Sequence, residues 1–154
     1  MNYLAHAYLS FHQPEILVGN LISDFVKGKS KFSYPAGIQE GIALHRKIDE
    51  FTDQHPLNKE AKAVFHPYYR LYSGAFLDMT YDHFLANDPL VFADSDALLE
   101  FSQRTYQQVG AHLAACPEPF RQLFPYMKTD NWLYNYQFTS GIKKGYQGLV
   151  RKAA

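Results

Sequence analysis

The stretch that decides the fold is IQEGIALHRKIDEFTD, residues 38–53, which has the periodicity of an amphipathic helix. Ile38 and Ile42 mark the apolar stripe of this helix. Each helical residue advances by about 100°, so residues four apart lie about 40° apart around the axis. His45 and Asp49 therefore project from one side, at the border of the apolar stripe. This arrangement favours either a solvated helix face or a set of polar groups that converge on a site.

The same helical periodicity recurs along the whole chain, and no segment has the alternation of a half-buried strand. Prolines, glycines and clusters of small polar residues separate the periodic segments. Helices are predicted at about residues 2–11, 14–26, 38–53, 57–72 with a break near Pro67, 73–87, 94–116, 120–137 as one or two pieces, and 139–154. Residues 27–37 are predicted to form a loop. The sequence thus predicts a single all-α domain over residues 1–154, an irregular helical bundle.

The composition is that of a globular protein and excludes several classes of function. Of 154 residues, 47% are hydrophobic and 16% aromatic, and the formal net charge is zero. A neutral chain has no overall field to attract nucleic acid or a membrane surface. The single cysteine, Cys116, excludes an intramolecular disulfide and a cysteine-based zinc site. With no signal peptide or membrane span in the sequence, we expect a cytoplasmic protein.

Three acidic residues stand in apolar surroundings. Asp78 and Asp82 are four residues apart in FLDMTYDHFL, residues 76–85, a helix that is apolar nearly all round. Asp24 ends the otherwise apolar segment GNLISD. Burying two carboxylates on one helix face costs several kcal/mol, in order of magnitude, unless a positive group compensates. The pattern therefore calls for a cation nearby.

Two of the segments that carry these acids and Asp49 also carry an adjacent histidine. Neutral imidazole and carboxylate oxygens are the usual ligands of divalent hydrolytic metals, so the pattern favours a metal site. A structural alternative stays open at this point. Asp78 and Asp82 could cap neighbouring helix ends or pair with Arg46 and Arg70, and His6 and His45 could be hydrogen-bonded core histidines.

A cationic loop follows directly after Asp24. The stretch KGKSKF places Lys27, Lys29 and Lys31 within five positions. Most charge runs are solvated loops, but this one lies beside a candidate metal ligand. A cationic rim next to a hydrolytic centre would suit an anionic substrate or an acidic partner protein.

Four stretches of the sequence together resemble the successive motifs of one known family. They are MNYLAHAYLS (residues 1–10), GNLISDFVKG (19–28), GIALHRKIDEFTDQHP (41–56) and YSGAFLDMTYDHFLA (72–86), with a weaker similarity at WLYNYQ (132–137) and SGIKKGYQGLVRKA (140–153). In this order they resemble the acyl carrier protein phosphodiesterase family. The family motifs fall here on His6, Asp24, His45, Arg46, Asp49, Asp78, Asp82 and His83.

The resemblance implies a fold, a cofactor and a substrate. The fold would be all-helical and related to the HD-domain metal phosphohydrolases. The cofactor would be a divalent cation, Mn²⁺ as first choice, with Mg²⁺ and Fe²⁺ as alternatives. The substrate would be holo-acyl carrier protein, whose serine carries 4′-phosphopantetheine through a phosphodiester. Hydrolysis would release apo-carrier protein and 4′-phosphopantetheine.

Within that scheme each candidate residue has an expected role. The expected metal ligands are Asp24, His45, Asp49, Asp78 and Asp82. His83 or His6 would orient or protonate the leaving serine oxygen, and Arg46 would bind a non-bridging phosphate oxygen. Lys27, Lys29 and Lys31 would contact the carrier protein.

Two other functions remain open on the sequence alone: an HD-like phosphohydrolase for a nucleotide or another small phosphoester, and a helical domain that binds a carrier protein without cleaving it. Family chains are expected to continue beyond the segment that ends at Ala154. From that expectation we predict a homodimer through the C-terminal segment, with Tyr146 on its apolar face.

Overall fold

A computed structural model describes residues 2–153, with side chains up to Lys152. Within these residues every regular element is helical, which confirms the all-α prediction. The α-helices are α1 (Tyr3–Tyr8), α2 (Pro14–Ile22), α3 (Ala36–Gln54), α4 (Pro56–Tyr69), α5 (Ser73–Ala86), α6 (Ser95–Ala111), α7 (Glu118–Thr129), α8 (Trp132–Asn135) and α9 (Thr139–Ala153). Short 3₁₀ helices lie at Ser23–Phe25, Gly28–Ser33, Arg70–Tyr72 and Leu113–Ala115.

Several element boundaries differ from the sequence prediction; the helices predicted over 14–26 and 94–116, for example, end as α-helices at Ile22 and Ala111. The predicted loop over residues 27–37 contains the 3₁₀ helix Gly28–Ser33. Pro67 lies inside α4, and the break comes at Arg70 instead, whose φ of 44° ends the α-helical path. A proline can be accommodated with the loss of a helical hydrogen bond, whereas the φ of 44° and ψ of −111° at Arg70 lie outside the helical region, so the helix ends there.

The centre of the bundle is the contact between α2 and α3, the most extensive helix pair. Gly19 of α2 and Gly41 of α3 face each other so closely that a methyl group on either would overlap the opposite backbone. Glycine is the residue that permits such backbone approach. The fully buried Ile38 and Ile42 of α3 anchor this contact in the core. The close approach matters for the site, because it brings the backbone of α2 against the polar edge of α3.

The start of helix α1 is capped by a residue that is distant in the sequence. Asn2, which precedes α1, makes no capping bond with its side chain. Instead the Asp82 carboxylate of α5 accepts hydrogen bonds from the N–H groups of Leu4, at 2.8 Å, and Ala5, at 3.0 Å. The first N–H groups of a helix have no intrahelical partner, and side-chain oxygens commonly satisfy them. A residue of α5 thus fixes the start of α1.

Helix α9 packs on α5 through Tyr146. The Tyr146 ring packs against Phe76, and its hydroxyl is hydrogen-bonded to Thr80. Tyr146 is therefore partly buried within its own chain. Val150, further along α9, is exposed to solvent.

Candidate metal centre

Two histidines and one aspartate converge where α1 meets α3. His6, His45 and Asp49 offer ligand atoms that all lie within 4.8 Å of one another. The Asp49 carboxylate lies 3.2 Å from Nε2 of His6 and 3.1 Å from Nε2 of His45. The two imidazole rings are stacked, with centroids 3.9 Å apart and planes 9° apart. The i, i+4 spacing of His45 and Asp49 confirms the expectation that both project from one side of α3.

A backbone carbonyl of α2 orients the His45 ring. Nδ1 of His45 lies 2.7 Å from the Asn20 carbonyl oxygen. A carbonyl oxygen only accepts, so Nδ1 carries the hydrogen and donates it. This bond turns Nε2 towards Asp49. A ring nitrogen held by a carbonyl behind it is the usual arrangement for a metal-ligating histidine.

Asn20 also fixes His6, and sequence analysis missed it. Its side chain is fully buried and donates to the His6 carbonyl oxygen, at 2.9 Å, and to Ser10 Oγ, at 3.0 Å. One residue thereby ties both histidine segments to α2. A sequence signal did exist, namely a single asparagine within the apolar run ILVGNLI, but a lone buried amide does not reveal its partners.

Asp24 forms the open side of the cluster. It lies in the 3₁₀ helix that follows α2, and its Oδ1 atom is 3.2 Å from Nε2 of His45. Its side chain is 79% exposed, whereas the His6 side chain is only 3% exposed. The cluster is therefore buried on the histidine side and reaches solvent at Asp24.

The charges of the cluster are strongly coupled. Burial lowers the pKa of His6, so its imidazole is neutral near pH 7. Burial also lowers the pKa of His45, but contacts with Asp24 and Asp49 outweigh it and raise the pKa to about 9. Burial alone would raise the pKa of Asp49, yet contacts with His45 and His6 hold it well below its usual range. Both carboxylates near His45 are thus anionic at neutral pH, since its contact also lowers the pKa of Asp24.

Several ring nitrogens of His6 and His45 make no hydrogen bond of normal geometry within the protein. Both ring nitrogens of His6 and Nε2 of His45 are buried without a partner in hydrogen-bond geometry. Buried polar atoms are nearly always satisfied, so such exceptions call for an explanation. The neutral His6 ring and the anionic Asp49 carboxylate are ready donors for a divalent cation, and His45 would become one by releasing its proton when the cation binds. The site is therefore compatible with a divalent metal.

The structure places the two acids of α5 differently from each other. Asp82 is fully buried, and both of its oxygens accept the backbone N–H groups of α1. This is the capping role that the sequence left open as an alternative to metal binding. Burial raises the pKa of Asp82 to about 7, although the two backbone bonds lower it. Burial also raises the pKa of Asp78, which is close enough to the Asp49 charge to feel its repulsion.

Two predicted catalytic residues are not brought into the cluster. Arg46 is exposed, and its guanidinium donates to the carbonyl oxygen of Val26, at 3.5 Å. Nδ1 of His83 is bonded to the Tyr136 carbonyl oxygen, at 2.6 Å, and His83 lines a separate cavity of about 280 Å³. The sequence placed Arg46 on α3 and His83 on α5, but it does not determine how each helix is rotated about its axis. In the structure that rotation directs both side chains away from the cluster.

Part of the cluster lines a cavity of about 820 Å³. His6, Asp24 and His45 line it together with one face of α9. Lys27, Lys29 and Lys31 follow Asp24 in the chain but are not among the lining residues. The cavity instead takes its cations from α9, which sequence analysis did not single out: Lys144, Arg151 and Lys152. Their spacing of seven and eight residues placed them on one helix face, and that was the available signal.

Comparison with known proteins identifies a family for this chain. The profile of the acyl carrier protein phosphodiesterase family matches residues 1–154. The chain is 37% identical over 152 residues to the acyl carrier protein phosphodiesterase of Yersinia pestis, covering 99% of this chain and 79% of the relative. For the proteins of the same name from Photorhabdus laumondii and Enterobacter sp., the identities are 34% and 35% over 152 residues, covering 77% and 79% of those relatives.

No solved structure gives a significant match to this chain, so a relation to the HD-domain fold stays a prediction. Among the helices of residues 2–153, none combines the length and apolar character that a membrane crossing requires. The full-length family match and the level of identity agree with each other. The chain belongs to the acyl carrier protein phosphodiesterase family.

Proposed function

We propose that this chain is a metal-dependent phosphodiesterase that removes 4′-phosphopantetheine from holo-acyl carrier protein. The observation that carries the proposal is the pair of buried histidines whose unsatisfied nitrogens face Asp49 at one wall of a large cavity. Family membership supports the substrate, since the relatives bear the name acyl carrier protein phosphodiesterase.

His6, His45 and Asp49 would hold the cation, and Asp24 would complete the set on the solvent side. Mn²⁺ is our first choice, with Mg²⁺ and Fe²⁺ as alternatives, because a mixed nitrogen and oxygen donor set suits these ions. Asp78 stays a predicted further ligand on the sequence pattern alone, since the group that could hold a metal among the described residues is His6, His45 and Asp49. Asp82 is better explained as the cap of α1. When bound, a divalent cation would lower the pKa of water and neutralise phosphoryl charge.

The reaction is a hydrolysis of the phosphodiester. The oxygen of a water molecule bonds to phosphorus, the bond between phosphorus and the serine oxygen breaks, and the serine oxygen takes up a proton. Asp24 is the most exposed carboxylate of the cluster and is anionic at neutral pH, so it would bind the cation where solvent reaches it, and the proton that water gives up would pass to solvent. Arg46 stays a predicted phosphate ligand; its side chain is exposed and would have to leave the Val26 carbonyl to reach a substrate. Of the two histidines that the sequence offered for the serine oxygen, His83 lines the smaller cavity and His6 lies among the proposed ligands, so the role of His83 stays a prediction and His6 is reassigned to the cation.

Product analysis tests the proposal. The chain, supplied with Mn²⁺ and holo-carrier protein, should release apo-carrier protein and 4′-phosphopantetheine, detected as a mass loss on the carrier. Addition of a chelator should stop the release. Binding of holo-carrier protein without any mass loss would instead support a carrier-binding domain. Hydrolysis of nucleotides in preference to holo-carrier protein would support the other enzyme class.

The lysine loop provides a second test of the substrate. Lys27 and Lys29 are exposed, and Lys31 is partly buried with its Nζ 5.0 Å from the ring centroid of Phe32. Reversing all three lysines to glutamate should raise KM for the acidic holo-carrier protein and weaken its salt dependence, because rim charges steer association. Steady-state kinetics at several salt concentrations measure this. The loss should be larger for carrier protein than for bis(4-nitrophenyl) phosphate, and equal losses would mean that the loop shapes the centre itself.

Two further expectations stay predictions. A cytoplasmic location is supported by the single cysteine, Cys116, which is buried and free.

A homodimer through the C-terminal segment would have to use the exposed side of α9, near Val150, because Tyr146 packs inside its own chain. Sedimentation at micromolar concentration measures the oligomeric state.

A further inference from the structure

Helix α9 presents three glycines to the large cavity, and only two of them are explained by packing. Gly141, Gly145 and Gly148 line the cavity at spacings of four and three, so they share one helix face. A methyl group at Gly141 would overlap the Asn135 carbonyl, and one at Gly145 would overlap the Met79 side chain. At Gly148 a methyl group would meet nothing within 4 Å.

Gly148 therefore keeps space open without a packing reason. Its φ is not in the left-handed region, so its backbone conformation does not require glycine either. Glycine inside a helix costs about 1 kcal/mol relative to alanine. The same cavity holds the buried His6 ring, whose Nδ1 atom lacks a hydrogen-bond partner. An open wall and an unsatisfied polar atom in one cavity both point to a ligand.

The cavity has the size and the chemistry for a flexible amide chain. Its volume of about 820 Å³ lies within the range of roughly 300–1,000 Å³ that is usual for small-molecule sites. Tyr3 and Trp132 provide aromatic surface, with ring centroids 6.2 Å apart. Asn135 and Gln147 provide amide groups on the same lining. Aromatic surface with a few amides suits a ligand that alternates aliphatic and amide groups.

The position of Asp24 assigns a direction to the substrate. Asp24 is 79% exposed and also lines the cavity, so it lies where the cavity meets solvent, and the lysine loop follows it directly in the chain. A folded carrier protein has access from solvent there, whereas the cavity itself, at about 820 Å³, is too small for a folded domain but large enough for a single chain. We propose that the cavity beside α9 holds the pantetheine arm and that Gly148 sets its width. This inference rests on the proposed function, because it takes the arm of holo-carrier protein as the ligand.

Filling the open space tests the assignment. Gly148→Leu should fold, since it meets no neighbour, and should project into the cavity. We expect the ratio of kcat/KM for holo-carrier protein to that for bis(4-nitrophenyl) phosphate to fall about tenfold or more, the effect of a misfitting group in a specific pocket. The matched control is Val150→Leu, on the same helix but outside the cavity lining, which should leave the ratio unchanged. Circular dichroism and thermal melting verify the fold of both variants.

Calorimetric binding of 4′-phosphopantetheine separates this inference from the proposed function. Binding by the unaltered chain that is lost in Gly148→Leu and kept in Val150→Leu supports the arm cavity, even if holo-carrier protein is not cleaved. Cleavage and binding by Gly148→Leu at the level of the unaltered chain would overturn the arm cavity and leave the proposed function intact. Absence of 4′-phosphopantetheine binding by the unaltered chain would overturn it as well.

Discussion

Replacing Asp49 by asparagine should abolish phosphodiester hydrolysis and weaken Mn²⁺ binding by more than about 100-fold, the upper end of what losing a residue behind a ligand costs. The Asp49 carboxylate contacts Nε2 of both histidines, at 3.2 Å for His6 and 3.1 Å for His45. An amide removes the negative charge and turns an N–H group towards one of the imidazoles. Titration of Mn²⁺ by electron paramagnetic resonance measures the affinity without reference to activity.

Asp53→Asn is the matched control for this change. Asp53 is one turn further along α3, is exposed, and lies outside the group of possible metal ligands. It makes the same chemical change on the same helix, so Mn²⁺ affinity and hydrolysis should stay at the level of the unaltered chain. Equal Mn²⁺ affinity of the two variants would contradict the assignment of Asp49 as a ligand.

Replacing Asp82 by alanine should lower the free energy of unfolding by at least about 2 kcal/mol. The substitution leaves the N–H groups of Leu4 and Ala5 buried without acceptors, at about 1–3 kcal/mol each. Removing the buried carboxylate offsets part of this loss of unfolding free energy, because burying it is itself unfavourable, as its raised pKa of about 7 indicates. For a chain of this size the midpoint of thermal unfolding should fall by roughly 4 °C or more. Thermal and urea unfolding measure both quantities.

Asp94→Ala is the control for the Asp82 experiment. Asp94 caps α6 by accepting the Ala97 N–H at 2.8 Å, but it is exposed, so water can replace it. Its loss should cost about 1 kcal/mol. A strong fall in Mn²⁺ affinity of Asp82→Ala at unchanged thermal stability would contradict the capping role and place Asp82 among the ligands. Destabilisation with Mn²⁺ binding retained in the folded protein would confirm that Asp82 acts through α1.

The sequence by itself determined the helical class, because periodicity and helix-ending residues are local properties. The stripe of Ile38 and Ile42 predicted α3 to within two residues at its start, and Pro14 marked the start of α2. It also determined that His45 and Asp49 share a face, since an i, i+4 relation within one helix does not depend on the rest of the fold. The family motifs were equally readable, because they are strings of residues.

Only the tertiary structure decided which polar residues meet. Asp78 and Asp82 are four residues apart on the same helix, yet their surroundings differ. Asp82 accepts hydrogen bonds from the first N–H groups of α1, whereas the pKa of Asp78 is raised by burial and, to a smaller extent, by the charge of Asp49. The sequence gives the relative angle of two residues on one helix but not the rotation of that helix against its neighbours. The same reason explains why His83 faces a different cavity from His6.

The groups behind the metal centre were also beyond the sequence. Asn20 holds His45 through its backbone carbonyl, and every residue has such a carbonyl, so no side-chain pattern could identify it. Its position depends on the close approach of Gly19 and Gly41, which is a property of two helices in contact. The cavity along α9 depends likewise on how a distant segment of the chain packs. Local patterns fix the elements, and long-range packing fixes which of their atoms form the site.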